Sequence, residues 1–197
     1  MVRFILPVKG GGRGKTRLSL PAQQRQMLTI AMLRDCLAAV LATELGPVVV
    51  VSPDPQVRQV AAADGAQAMD HSGGLNVAVA AAVTAGRCAA LLPDLPALQP
   101  QQLADALTTP GSGFVPDAAG SGTTLLFGEG LRPHFGPGSA ARHETAGYPR
   151  IEMTACGLTL DVDTWADLLR AQELGLGIHT ESWLATSGAD DPRQPLT

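Results

Sequence analysis

Four consecutive valines, Val48–Val51, follow Pro47 and run straight into Ser52-Pro53-Asp54. A strand that is apolar at every position has no face to offer water, so both of its faces must be covered. That requirement points to a buried parallel sheet with helices on each side. The flanking sequence supplies them. Pro21 to Thr43 carries Met27, Ile30, Ala31, Leu33, Leu37 and Leu41 at helical spacing, which predicts a long amphipathic helix. Arg34 and Asp35 on it read as a solvated pair or a helix–sheet contact.

Further strands are predicted over Val2–Val8, weakly over Ala66–Met69, and over Cys88–Leu92. Between them lie helical stretches at Gln56–Ala63, Asn76–Ala85 and Gln99–Leu107. This alternation predicts a single-domain α/β fold, a doubly wound and mostly parallel sheet of Rossmann-like type. After Pro110 the texture changes. Gly113–Asp117 and Thr123–Phe127 read as two strands joined by Ala118–Gly122, a small β insertion. Leu158–Leu160 is expected to return to the sheet, followed by a helix over Trp165–Leu174. The folded domain is expected to span 1–181, with 182–197 as a polar tail.

Composition excludes several classes. The chain has 197 residues and a formal net charge of -4, which argues against a nucleic-acid surface. No apolar run reaches membrane-spanning length, and the N-terminus lacks a signal-peptide pattern. Cys36, Cys88 and Cys156 are widely spaced and fit no zinc or disulfide framework, so a reducing cytoplasm is expected.

Among 14 basic residues the only lysines are Lys9 and Lys15, both in the loop Lys9-Gly10-Gly11-Gly12-Arg13-Gly14-Lys15-Thr16-Arg17. Strand, glycine-rich loop and helix is the layout of a phosphate cradle, in which glycines let backbone N–H groups approach an anion. The Walker pattern fails because Lys9 stands where its first glycine is required. The dinucleotide fingerprint fails because Lys15 stands where its third glycine is required. What remains is a basic loop suited to a triphosphate or to a pyrophosphate leaving group. Lys9, Lys15 and Arg17 are the candidate catalytic cations, and Gly10, Gly11, Gly12 and Arg13 the candidate nucleotide cradle. Ser52, at a strand end, and Asn76, near a helix start, could each meet a base or ribose, or serve only the local backbone.

Acidic residues gather at strand ends. Asp94 follows Cys88–Leu92, and Asp161 and Asp163 flank Val162. On an extended chain, residues two apart share a face at about 7 Å. Such carboxylates can converge on a hard cation, and the three read as a magnesium site. The bland alternative makes Asp94 and Asp163 helix caps, although it leaves the adjacent charge of Asp161 unexplained. In His134-Phe135-Gly136-Pro137-Gly138-Ser139-Ala140-Ala141-Arg142-His143, Ser139 reads as the N-cap of a short helix. Gly136 and Gly138 would expose backbone N–H groups there, making a candidate anion pocket, with a ligand-free capped helix as the alternative. His134 and His143 read either as acid–base groups or as structural histidines.

Taken in order, Val8-Lys9 with Lys15-Thr16-Arg17-Leu18, Asp94-Leu95-Pro96-Ala97-Leu98, Gly122-Thr123, Phe135–His143 and Asp161-Val162-Asp163-Thr164 resemble the CofC/FbiD family of guanylyltransferases. That family is related to the MobA-like nucleotidyltransferases. The triglycine and Pro93 depart from its pattern. The resemblance implies transfer of GMP from GTP to a small phosphorylated three-carbon acid in coenzyme F420 biosynthesis. It implies magnesium on Asp94, Asp161 and Asp163, the acceptor acid on Thr123, Gly136 and Ser139, and handover to a downstream deazaflavin transferase. The likeness to the actinobacterial branch implies phosphoenolpyruvate, with 2-phospho-L-lactate and 3-phosphoglycerate as alternatives. A MobA-like transferase with another acceptor and a non-catalytic GTP sensor are the rival readings.

Overall fold

A computed structural model describes residues 1–10 and 16–187 of the chain. Among the described residues six strands form one sheet: β1 (Arg3–Pro7), β2 (Val48–Val51), β3 (Gln67–Met69), β4 (Arg87–Leu91), β5 (Gly113–Pro116) and β6 (Thr123–Glu129). Their spatial order is β3-β2-β1-β4-β6-β5. β1 pairs in parallel with β2 and β4, and β2 with β3. β6 runs antiparallel to both β4 and β5. The mostly parallel sheet and its β5–β6 insertion are as the alternation of segments required.

Helices cover both faces. They are α1 (Ala22–Ala42), α2 (Pro55–Ala63), α3 (Leu75–Ala82), α4 (Pro100–Leu107), α5 (Ser139–Thr145), α6 (Trp165–Leu174) and α7 (Ile178–Thr186). The valine run shows why two layers are needed. Val48 and Val50 pack with Leu33 and Leu37 of α1 and Leu103 of α4, whereas Val49 and Val51 pack with Ala78 and Val79 of α3. The pleat sends alternate side chains to opposite faces, so one unbroken run feeds two cores. A third apolar cluster joins Leu28 and Met32 of α1 to Val162, Leu168 and Trp183. No helix among the described residues is long and apolar enough to cross a membrane.

Three expectations are corrected. Leu158–Leu160 forms a turn rather than a strand, and the segment beyond it lies across the end of the sheet. One peptide hydrogen bond anchors it there, from the Val162 N–H to the Asp94 carbonyl at 3.0 Å. The domain boundary at 181/182 falls inside α7, whose Trp183 is buried, so the fold continues to at least Ser187. Finally, Arg34 and Asp35 do not pair. Arg34 reaches Asp64 at 2.7 and 3.0 Å.

Asp35 is only 6% exposed and accepts the backbone N–H groups of His179 and Thr180 at 2.9 and 2.8 Å. A carboxylate on α1 therefore satisfies the otherwise orphaned donors at the start of α7. Replacing Asp35 by alanine strands both donors and is expected to cost about 2–3 kcal/mol, lowering the melting temperature by roughly 5–10 °C. Thermal denaturation checks this, and an unchanged midpoint would count against the cap.

Candidate active site

The carboxyl ends of β1 and β4 and the start of antiparallel β6 come together at one edge of the sheet. In open α/β sheets this is where ligands bind. β1 delivers Lys9, and the Val8 N–H still pairs with the Val51 carbonyl at 2.9 Å. β4 delivers Asp94, and the Leu92 N–H donates to the Thr124 carbonyl at 2.8 Å, which sets Thr123 beside it. A cleft of about 790 Å³ opens here, lined among others by Lys9, Arg17, Asn76, Asp94, Thr123, Gly136, Ser139, Asp161 and Asp163. A neighbouring cavity of about 660 Å³ shares Lys9, Asp54 and Gly74 with it and is lined by Gly10, His71, Ser72 and Gly73.

Most of the expected site residues thus meet in one cleft, from segments more than 150 positions apart. Gly11, Gly12, Arg13 and Lys15 lie outside the described residues. Ser52 lines neither cavity: it is fully buried, and its hydroxyl accepts the Asp54 N–H at 3.1 Å. Asn76 lines the cleft, but its amide is used on the protein. Nδ2 donates to the Phe135 carbonyl at 3.1 Å, and Oδ1 accepts the Phe135 N–H at 2.7 Å. It clamps the 134–138 loop to α3. Nothing local in the sequence marks His71, Ser72 or Gly73, because their short loop becomes a cavity wall only once β3 is placed beside β2.

The capping alternative for the aspartates fails. α6 is capped by Thr164, whose hydroxyl accepts the Asp167 N–H at 3.2 Å. The Asp167 carboxylate in turn accepts from the Thr164 and Asp163 N–H groups at 2.8 and 3.2 Å. The Thr164 hydroxyl and the Arg170 guanidinium, donating to that carboxylate at 2.7 and 2.6 Å, together with the two N–H groups hold the Asp167 carboxyl below its ordinary range, against the opposing effect of burial. No helix begins after Asp94 until Pro100. Asp161 and Asp163 keep the expected alternation, with buried Val162 between them. Asp163 lies 3.8 Å from the Arg17 guanidinium. The donor set is all carboxylate oxygen, the chemistry a magnesium ion takes. Among the described residues, however, no three such groups are drawn together into a ready-made metal site. The aspartates border a shared space rather than a single point.

The opposite wall is built by the 134–143 segment. Gly138, at φ 70°, is the residue that precedes α5, and Ser139 is the first helical residue rather than its cap. Gly136 has φ 120°. Side chains other than glycine rarely adopt such angles, so the turn that presents Ser139 depends on both. The Ser139 and Ala140 N–H groups already donate to the Gly136 and Ser121 carbonyls at 3.0 and 3.1 Å. Thr123 and Ser139 are both buried and both line the cleft on this wall. Arg142 holds the turn from behind, reaching the His134 carbonyl at 2.9 Å and the Pro137 carbonyl at 2.6 Å. His143 is fully buried and touches both Thr123 and His134. Burial, with His134 and Arg142 nearby, lowers its pKa to about 4.

A family model described as "Guanylyl transferase CofC like" matches residues 2–190. A phosphoenolpyruvate guanylyltransferase of Mycobacterium sp. (strain KMS) is 41% identical over 198 residues, covering 91% of this chain and 89% of that protein. Another, from Nocardia farcinica (strain IFM 10152), is 39% identical over 208 residues, covering 95% and 92%. The structure of a nucleotidyl transferase from Methanothermobacter thermautotroptrophicus superposes with a TM-score of 0.64 at 14% identity, covering 94% of this chain and 99% of that one. At that identity the likeness speaks for the fold alone.

Proposed function

Because the chain belongs to the CofC-like guanylyl transferase family, we propose that it transfers GMP from GTP to phosphoenolpyruvate. The products are enolpyruvoyl-diphospho-5'-guanosine and pyrophosphate, in the cytoplasm, on the way to coenzyme F420. One arrangement supports the reading above all. A single cleft has cationic side chains at the end of β1, three carboxylates at the end of β4 and beyond, and the hydroxyl residues Thr123 and Ser139 facing them.

The chemistry follows from charge. A phosphate monoester is largely dianionic near neutral pH, so its oxygen can attack the α-phosphorus with no proton to remove. The new bond joins that oxygen to the α-phosphorus while the bond to the β-phosphate oxygen breaks, and pyrophosphate departs. No general base is required, in keeping with the buried, neutral state of His143. Lys9 and Arg17, with Lys15 and Arg13 of the same loop, would stabilise the departing pyrophosphate, and Gly10 to Gly12 would cradle the phosphates. Thr123, Gly136 and Ser139 would hold the acceptor acid in line. Asp94, Asp161 and Asp163 would hold magnesium, which supplies the charge that lets two anions approach.

The test is pyrophosphate release from GTP with magnesium. Phosphoenolpyruvate, 2-phospho-L-lactate and 3-phosphoglycerate are supplied separately, with the downstream deazaflavin-transferring enzyme present to draw off product. Release dependent on phosphoenolpyruvate, with a product of matching mass, is expected. Silence with all three acids despite GTP binding would overturn the proposal.

A further inference from the structure

His143 makes two hydrogen bonds that together determine where its proton sits. The His134 backbone N–H donates to Nε2 at 3.0 Å. An amide can only donate, so Nε2 must be bare, and a neutral ring then carries its hydrogen on Nδ1. Nδ1 lies 2.9 Å from Thr123 Oγ1. The imidazole is therefore the donor in that contact and the threonine oxygen the acceptor. The hydroxyl hydrogen must turn elsewhere, and Thr123, 3% exposed, borders the cleft.

We propose that His143 is a positioning residue that, through this tautomer, holds the Thr123 hydroxyl as a hydrogen-bond donor to the anionic acceptor. A carboxylate or phosphate oxygen only accepts, so a hydroxyl helps it only with its hydrogen forward. With the opposite tautomer, Thr123 would donate to the ring and turn its lone pairs towards an anion. The surroundings preserve the neutral ring. His143 is fully buried, with Phe135 at 5.4 Å, Phe114 at 5.7 Å and Tyr148 at 5.9 Å between ring centres. The same imidazole also fixes the first residue of the turn that presents Ser139. One buried side chain thus touches Thr123 and anchors the start of the turn that leads to Ser139.

The inference rests on reading this cleft as the acceptor site, and its first test does not. In protein labelled with ¹⁵N-histidine, the buried ring is expected to show a protonated Nδ1 and a bare Nε2 near neutral pH. A hydrogen found on Nε2 would overturn the proposal whatever the enzyme does. The second test uses turnover. T123V and H143Q are each expected to raise KM for the acceptor roughly ten- to a hundredfold, with KM for GTP little moved. The double variant is expected to be no worse than the poorer single, because the two changes break one contact. In H143N the amide sits where Nδ1 sat and can still donate to Thr123, so H143N should recover most of the loss, whereas the longer H143Q should not. Effects that multiply in the double variant, or an H143N as impaired as H143Q, would mean that His143 does not act through Thr123. Should H143Q fail to fold, H143N still decides the matter: its acceptor KM should stay close to wild type while that of T123V rises, and an H143N as impaired as T123V would overturn the proposal. Wild-type protein that releases no pyrophosphate with any acceptor would sink the proposed function instead, leaving the tautomer measurement to decide the role of His143.

Discussion

Asp161→Ala is expected to reduce acceptor-dependent pyrophosphate release by on the order of 10³-fold, about 4 kcal/mol of lost transition-state stabilisation. The side chain stands on the cleft wall beside Asp163, and its neighbour Val162 is bonded to the Asp94 peptide. Helix capping, which would make such an aspartate merely structural, is performed here by Thr164 and Asp167. Truncation removes charge at the site with little effect on the core, because Asp161 is only partly buried whereas Val162 supplies the packing. The melting temperature should therefore hold while turnover collapses and magnesium affinity, read by calorimetry in the presence of GTP, weakens. Near-normal turnover with an unaltered magnesium dependence would remove Asp161 from the site. Asp94→Asn and Asp163→Asn extend the comparison, the latter also releasing Arg17 from its contact at 3.8 Å.

Gly157→Ala should act in the opposite way, through the fold first and activity second. A Cβ built on Gly157 would lie 1.8 Å from the Ala97 carbonyl oxygen, 2.3 Å from its carbon and 2.8 Å from the Leu98 nitrogen. All three are backbone atoms, so no side chain can swing aside to relieve the clash. The segment that follows the Asp94 turn and the one that leads into Asp161 and Asp163 are pressed together at this glycine. Separating them would strain the Val162–Asp94 hydrogen bond, the contact that brings the carboxylates to one cleft. A loss of about 3 kcal/mol or more is expected, or roughly 6–12 °C in melting temperature. The surviving folded fraction should bind magnesium more weakly than wild type. A Gly157→Ala protein with wild-type stability and magnesium affinity would show that the two segments are not locked here.

The two variants separate residues whose importance is legible in the sequence from those whose importance is not. Asp161 can be picked out because two carboxylates flanking a buried apolar residue call for a reason. Gly157 cannot: in a glycine-rich chain nothing local distinguishes it, since its constraint comes from Ala97, sixty positions earlier. Asn76 and Asp35 belong to the same class. Asn76 reads in sequence as a possible base or ribose contact and Asp35 as part of a surface pair, yet each is committed to backbone groups of a distant segment.

By itself the sequence determined the layers. The valine run, the amphipathic helix before it and the alternation that follows admit little besides a sheet covered on both faces, because buried strands and helical stripes leave few ways to hide apolar surface. It also determined that Lys9 and Asp94 meet, since the shared polarity of β1 and β4 sends their carboxyl ends to one edge of the sheet. Tertiary structure decided which groups face the cleft. Leu158–Leu160 carries the apolar pattern of a strand, yet its backbone bonds elsewhere: the Leu158 N–H donates to the Gln102 side chain and the Thr159 carbonyl accepts the Ala118 N–H, while the Val162 N–H donates to the Asp94 carbonyl and Leu160 and Val162 pack in the third apolar cluster. Ser139 has the chemistry of a cap, but the left-handed Gly138 before it takes the capping position and turns the serine towards the cleft. The histidine of the same motif could have been an acid, a base or a surface residue. Its state depends on a backbone N–H nine residues earlier and a hydroxyl twenty residues earlier, because hydrogen-bond direction is a property of the assembled partners rather than of the residue alone.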